Sequence, residues 1–349
     1  AGRHTALLKR GAKKLFRTRD TAIVILGCLI MSATQCYPAD PEAKVFDPPS
    51  GRNRNLLAQA DEQLSASGWF NKGFAFTTFN KSKEAILAYT RAIQLNPGYA
   101  AAYVNRGVEY TAIGEYNKAF RDFEKAIEIS PKMASAYASR GTAYAELGNN
   151  NQALSDYNRA IELDPTIALA YYNRGLCYEK IGNQQHAITD YDKAIELRPK
   201  YGKAYRSRAS VYVSLGNHAK ALNDFSRAIE LDGKDEVAYY VRGNEYNELG
   251  DHPKAIADYD KAIELRPAYG AAYANRGYAY SHMGDYHHAI RDYDKAIELN
   301  PKDAEAYYSR GSAYGKLGNH KQDIEDCKTA AKLGLTQAQQ FLQSKGITW

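Results

Sequence analysis

The octapeptide DYDKAIEL stands at 190–197, again at 258–265 and again at 292–299. The starts lie 68 and then 34 residues apart, so one interval is twice the other. Single landmarks keep the same step. Prolines fall at Pro97, Pro131, Pro165 and Pro199, then Gly233 takes the place, then Pro267 and Pro301 follow. Arginines fall at 106, 140, 174, 208, 242, 276 and 310, and tyrosines three residues before each of them. Glycines fall at 114, 148, 182, 216, 250, 284 and 318. The octapeptide is therefore the least diverged part of a 34-residue unit, and such a period means an array of stacked units in place of one large core.

Within one unit the pattern predicts two helices. The first runs from about Ala100 to Ile113 and stops at Gly114, because glycine adopts the left-handed backbone that a helix C-terminus needs. The second runs from about Asn117 to Ile129, and Pro131 prevents its continuation. Tyr103, Gly107, Tyr110, Ala119, Phe123 and Ala126 recur at helical spacing and line the facing sides of the pair. Gly107 and Ala119 are small enough for the two backbones to approach.

An aromatic–small–aromatic first helix, an Ala–aromatic–Ala second helix and a closing proline resemble the tetratricopeptide repeat. The resemblance covers residues 66–337, as eight units starting at 66, 100, 134, 168, 202, 236, 270 and 304. It implies an all-α, right-handed α-solenoid superhelix of eight helix-turn-helix repeats, whose first helices line a concave groove that holds peptides. The first unit has Asn80-Lys81-Ser82 at its turn, where the others have glycine. The eighth drifts, with Asp323 for alanine, Cys327 for the aromatic and Leu335 for proline. A C-terminal capping helix is expected over 336–345, started by a capping box of Thr336 with Gln339 and stopped by Gly346.

Residues 1–36 read differently. Seven cations and one anion occupy the first 20 residues, and without them the chain has 39 cations and 39 anions. The net charge of +6 is thus confined to that end, and the folded body lacks the basic footprint of a nucleic-acid binder. The apolar run AIVILGCLIMSA at 22–33 is short for a membrane span, which needs about 20 residues. Followed by small residues and Pro38, it suits an export signal cleaved near Thr34 or Gln35. An uncleaved anchor at 22–33 and a lipid anchor at Cys36 are the alternatives, the latter weakened by Gln35 before the cysteine. The expected location is periplasmic or secreted, with membrane contact only through this segment. Residues 37–65 form a linker containing Pro38, Pro41, Pro48 and Pro49, with a short leading helix over 53–65.

Each repeat with an arginine in its NRG-type triplet has an aspartate 16 residues later: Arg106 and Asp122, Arg140 and Asp156, Arg174 and Asp190, Arg242 and Asp258, Arg276 and Asp292, with 208/224 and 310/326 alike. The first repeat has Lys72 and Ala88 instead. This predicts a structural ion pair inside each repeat, and a pair between neighbouring repeats fits less well because it strands Arg106 and Asp326. The residue before each arginine reads Asn71, Asn105, Ser139, Asn173, Ser207, Val241, Asn275 and Ser309. Asparagine matches a peptide backbone in donors and acceptors, and the row resembles the asparagine ladder of O-linked N-acetylglucosamine transferases. Solvated helix ends are the bland alternative.

Lys203 and Arg206 share one helix face, and with Tyr172, Tyr240, Asn173, Asn244 and Tyr278 they make a candidate peptide site able to anchor a carboxylate. A solvated basic spot is the competing reading. The family's carboxylate clamp is not reproduced, since Asn244 and Asn275 match two of its positions but Tyr240, Glu305 and Ser309 stand where its cations belong. His218, His252 and His320 share a turn position held by Tyr116 and Tyr286 in other units, an interchange that argues against a ligand role, and His282, His287 and His288 gather near Asp285 as a weak candidate for a transition metal. Four cysteines without paired spacing predict neither a disulfide framework nor a metal cluster. No phosphate loop, HExxH or nucleophile elbow occurs. The sequence reads as a non-enzymatic scaffold without cofactor that binds a protein or peptide partner, with an envelope assembly factor acting through its edges as the alternative.

Overall fold

The computed structural model describes residues 64–349. The segments read as an export signal, a linker and a leading helix at 53–65, apart from the last two residues of that helix, lie outside the described residues. Seventeen α-helices and no strand occur among the described residues, and they divide into two compact units, one ending at Leu197 and one starting at Arg198.

The first unit holds four helix pairs: α1 (Ala66–Thr78) with α2 (Ser82–Leu95), α3 (Ala100–Ala112) with α4 (Tyr116–Ile129), α5 (Ala134–Glu146) with α6 (Asn150–Leu163), and α7 (Ala168–Lys180) with α8 (Gln184–Leu197). The second holds α9 (Gly202–Ser214) with α10 (His218–Leu231), α11 (Glu236–Glu248) with α12 (His252–Leu265), α13 (Gly270–His282) with α14 (Tyr286–Leu299), α15 (Ala304–Lys316) with α16 (His320–Lys332), and a last helix α17 (Thr336–Ser344). Helices pack within each pair, and each second helix packs on the first helix of the next pair in its unit. Each unit is therefore an all-α solenoid of stacked helix-turn-helix repeats.

Two packing rules explain the repeated residues. A Cβ on Gly175 would lie 2.7 Å from the ring of Tyr191, and one on Gly107 would lie 2.7 Å from Phe123. Glycine in the first helix is thus the seat of the large aromatic in the second. Between the helices the chain turns through a left-handed residue: Gly182 has φ +83° with open space around it, and Asn80 alone takes this role as a non-glycine, at φ +56°.

The eighth repeat accounts for its own irregularities. Asp323 replaces an alanine that is fully buried elsewhere, and Gly315 gives it room, since a Cβ there would lie 2.7 Å from Asp323 Oδ2. The Cys327 thiol, in place of the aromatic, donates to Asp323 Oδ1 at 3.4 Å. Burial, with Asp323 beside it, pushes that thiol up to about 12. α17 then covers Cys327 and Ala330 with Ala338, Leu342 and Phe341. The capping box expected at its start is absent. Leu335 is the N-cap and makes no side-chain cap bond, because Thr336 is already inside the helix. Gln339 reaches back instead, and its Nε2 donates to the carbonyl oxygen of Ala331 at 3.0 Å.

Candidate functional site

The arginines come first, because they fix the first helices to the second. Arg174 on α7 donates from Nε and Nη2 to the two carboxylate oxygens of Asp190 on α8, at 2.8 and 2.7 Å. The same two-pronged geometry holds for Arg106 with Asp122, Arg140 with Asp156, Arg208 with Asp224, Arg242 with Asp258, Arg276 with Asp292 and Arg310 with Asp326. The Asp190 side chain is 4% exposed and that of Arg174 19%, so this is a half-buried ion pair with a planar fork, the geometry guanidinium is made for.

Reading the pair as internal to one repeat leaves out a second bond. The remaining nitrogen, Nη1, points backwards to the preceding repeat: Arg106 to Thr90 Oγ1 at 3.0 Å, Arg174 to Asn158 Oδ1 at 2.7 Å, Arg242 to Ser226 Oγ at 3.0 Å. Arg276 and Arg310 meet carboxylates there, Asp260 and Asp294, each at 2.5 Å. Both aspartates of DYD now have a purpose: Asp258 binds the arginine of its own repeat, Asp260 that of the next. The tyrosine series belongs to the same device, because each guanidinium lies over the ring three residues earlier, as Arg276 does over Tyr273 at 5.4 Å and Arg310 over Tyr307 at 5.4 Å. The signal for the backward bond was in the sequence, as a polar residue 16 positions before each arginine.

The residues read as an open groove lining are mostly occupied. In the first unit, Asn71 is half-buried on α1. Asn105 donates to the Tyr89 hydroxyl at 3.5 Å, and Thr77 passes that chain on to the buried Glu109 carboxylate at 2.5 Å. Tyr172 and Asn173 are only 4% and 6% exposed. The Tyr172 ring lies against Tyr191, and Asn173 donates to Thr142 Oγ1 at 3.3 Å. In the second unit Tyr240 is 5% exposed, packed on Tyr259 and Tyr269. Asn275 donates to the Tyr240 hydroxyl at 3.1 Å and to Asn244 Oδ1 at 2.7 Å, which also accepts from the Tyr259 hydroxyl at 2.8 Å. The expectation of an open ladder is corrected for Tyr172, Asn173 and Tyr240. The asparagines Asn105, Asn173 and Asn275 spend amide donors on the preceding repeat, because its core tyrosine or threonine brings a hydroxyl within reach.

The carboxylate anchor is corrected as well. Arg206 already holds a carboxylate: its Nη1 donates to Asp235 Oδ1 at 2.7 Å, and that oxygen also accepts from the Ala238 amide at the start of α11. Lys203 is half-buried. A spacing of 29 residues would have predicted the pair, since Phe70 meets Tyr99 and Tyr240 meets Tyr269 across the same interval.

An exposed row lies near the C-terminal ends of the first helices: Ala112 and Lys180 in the first unit, Ser214, Glu248, His282 and Lys316 in the second. Tyr278 stands half-buried beside this row, its ring 4.3 Å from that of His282. In the first unit Glu146 accepts from the Tyr116 hydroxyl at 3.2 Å and Glu179 from the Tyr191 hydroxyl at 2.9 Å. Burial pushes both carboxyls above the usual carboxylate range, and Lys180 pulls against it. Among the described residues no group of three or more His, Cys, Asp or Glu side chains is arranged to hold a metal ion, and Cys177 and Cys327 are buried free thiols. No helix among them is long and apolar enough to cross a membrane.

The family described as "Tetratricopeptide repeat" matches at 66–99, 100–133, 168–201, 202–235, 270–303 and 292–325, and "TPR repeat" at 141–182 and 243–284. Together these run through most of 66–325. No curated protein matches the chain. Among solved structures, the Cut9–Hcn1 hetero-tetramer of the APC/C is similar at TM-score 0.56 and 16% identity, over 93% of this chain and 64% of that one. A repeat protein from Parabacteroides merdae is similar at TM-score 0.51 and 23% identity, over 71% of this chain and 98% of that one. YrrB, described as having an unusual peptide-binding site, is 27% identical over 54% of this chain and 97% of its own, at TM-score 0.47.

Proposed function

The chain belongs to the tetratricopeptide repeat family, and on that premise we propose that it is a non-enzymatic interaction scaffold that holds a segment of another protein along its first helices. One observation carries this reading. The polar groups shared by most repeats are spent on the frame, while equivalent exposed positions differ from repeat to repeat, as Ser214, Glu248, His282 and Lys316 do. A fixed scaffold with a varied face is what selective binding of one segment requires. The unusual peptide-binding site in the YrrB description is the kind of precedent the reading invites, and the face nominated for this chain is its own.

Panning the full chain against a peptide library tests it. Peptides selected on the wild type should lose at least about tenfold in affinity on Glu248→Lys combined with Lys316→Glu, the worth of one or two charged contacts, with helix content unchanged. Equal binding by the double variant would overturn the assignment of that face.

A second reading has its own observation. Apolar side chains recur at the turn edge, 41–61% exposed: Phe79, Ile113, Leu147 and Ile181 in the first unit, Leu215, Leu249, Met283 and Leu317 in the second. They favour an assembly factor that works through its edge. On either reading the order of basic, apolar and small residues in 1–36 supports export, with an uncleaved anchor as the alternative.

A further inference from the structure

Glu245 on α11 occupies a position that is apolar in most repeats, with Ala143, Ala279, Ala313, Val211 and Cys177 as its equivalents. Its carboxylate is 3% exposed. The equivalent acid in the first unit, Glu109, is satisfied by a neutral hydroxyl from Thr77. Glu245 is met instead by His218 Nδ1, from the first turn of α10 in the preceding repeat. The histidine side chain is 40% exposed, so protons reach it from solvent while the acid stays inside.

Several ionisable groups on the neighbouring helices have partners of their own. From α9, Arg206 is engaged by Asp235 and Arg208 by Asp224. From α12, Asp258 is held by Arg242, and His252 bonds the Asn247 side chain. From α13, the His282 ring lies tilted against those of His252 and Tyr278. On α11 itself, Glu248 is the neighbouring acid and opposes ionisation of Glu245. His218 thus meets a carboxylate that burial disfavours.

We propose that His218 and Glu245 form a proton-operated latch between the fifth and sixth repeats, closing when the imidazole takes up a proton and loosening when it gives it up. An imidazolium against a buried carboxylate is a charge-assisted bond, and a neutral imidazole leaves that carboxylate with a weaker donor. Burial raises the Glu245 carboxyl, with His218 acting to lower it. A raised folded-state value for the acid contributes stability at low pH that is lost as pH rises. α11 also carries Glu248, so the latch, resting on the proposed function, positions a helix that supports the proposed binding face.

Amide hydrogen exchange on the full chain at pH 5.5 and 8.0, corrected for the intrinsic pH dependence, tests this. Protected amides of α10 and α11 should open about tenfold less often at the lower pH, the worth of one charge-assisted bond. Those of α3 and α4 serve as the internal reference. Glu245→Gln and His218→Gln should each abolish the difference, and His252→Gln, which bonds a neutral amide, should keep it. A difference that persists in His218→Gln would overturn the proposal, and that half-exposed site decides the matter even where Glu245→Gln fails to fold.

Discussion

Arg174 shows what one residue can do in this architecture. Its guanidinium binds Asp190 in its own repeat and Asn158 in the one before, and stacks over Tyr171 at 5.5 Å. Truncating the aspartate would leave a half-buried cation without its main partner, which costs about 3–5 kcal/mol, whereas a solvent-exposed pair is worth under about 1 kcal/mol. Asp190→Ala should therefore lower the stability of the first unit by the larger amount in chemical denaturation. Arg174→Ala in the same background should add little, and strictly additive losses would mean the fork carries no coupling. Octapeptide chemistry follows the same economy: Asp258 and Asp260 serve two arginines, Tyr259 fills the core, Ala262 lets the next helix approach, and Lys261 pairs with Glu264 on the outer surface.

At the scale of the element, the helix pair rests on two kinds of glycine that fail in different ways. Gly175 is needed because a side chain would strike Tyr191, a matter of space. Gly182 has open space but a left-handed backbone, a matter of conformation. Gly182→Ala should cost about 1–2 kcal/mol through backbone strain alone. Gly182→Asn should cost less, since asparagine tolerates this region and Asn80 already occupies it in the first repeat. Thermal unfolding of the three proteins separates the cases, and equal losses for Ala and Asn would show that space, not backbone, governs the turn.

Across the whole molecule, stability passes from neighbour to neighbour, so the ends need their own solution. The clamp is absent at the first repeat, which has Lys72 and Ala88. At the eighth, Lys328 stands where earlier repeats offer Asp260 or Asp294 to the next arginine. A cation there would repel the guanidinium of a further repeat. α17 closes the second unit by apolar contact instead, with Leu342 fully buried. Truncation after Leu335 should remove roughly 3–5 kcal/mol from the eighth repeat, the burial of Leu342 and Phe341. Limited proteolysis should then cut first within α15 and α16, and cleavage elsewhere first would show that α17 does not seal that end.

The sequence alone determined the period, the two helices of each repeat, their glycine turns and the partner of every arginine along the second helix, because each of these repeats at a fixed interval and needs only local geometry to be read. Tertiary structure decided which polar side chains were left for a ligand. Asn173, Asn275, Tyr240 and Arg206 look available in one dimension, and stacking brings Thr142, Asn244, Tyr269 and Asp235 against them. Whether a donor is spent depends on what the neighbouring repeat presents, and that is fixed by how two helices pack, not by the residues of either one.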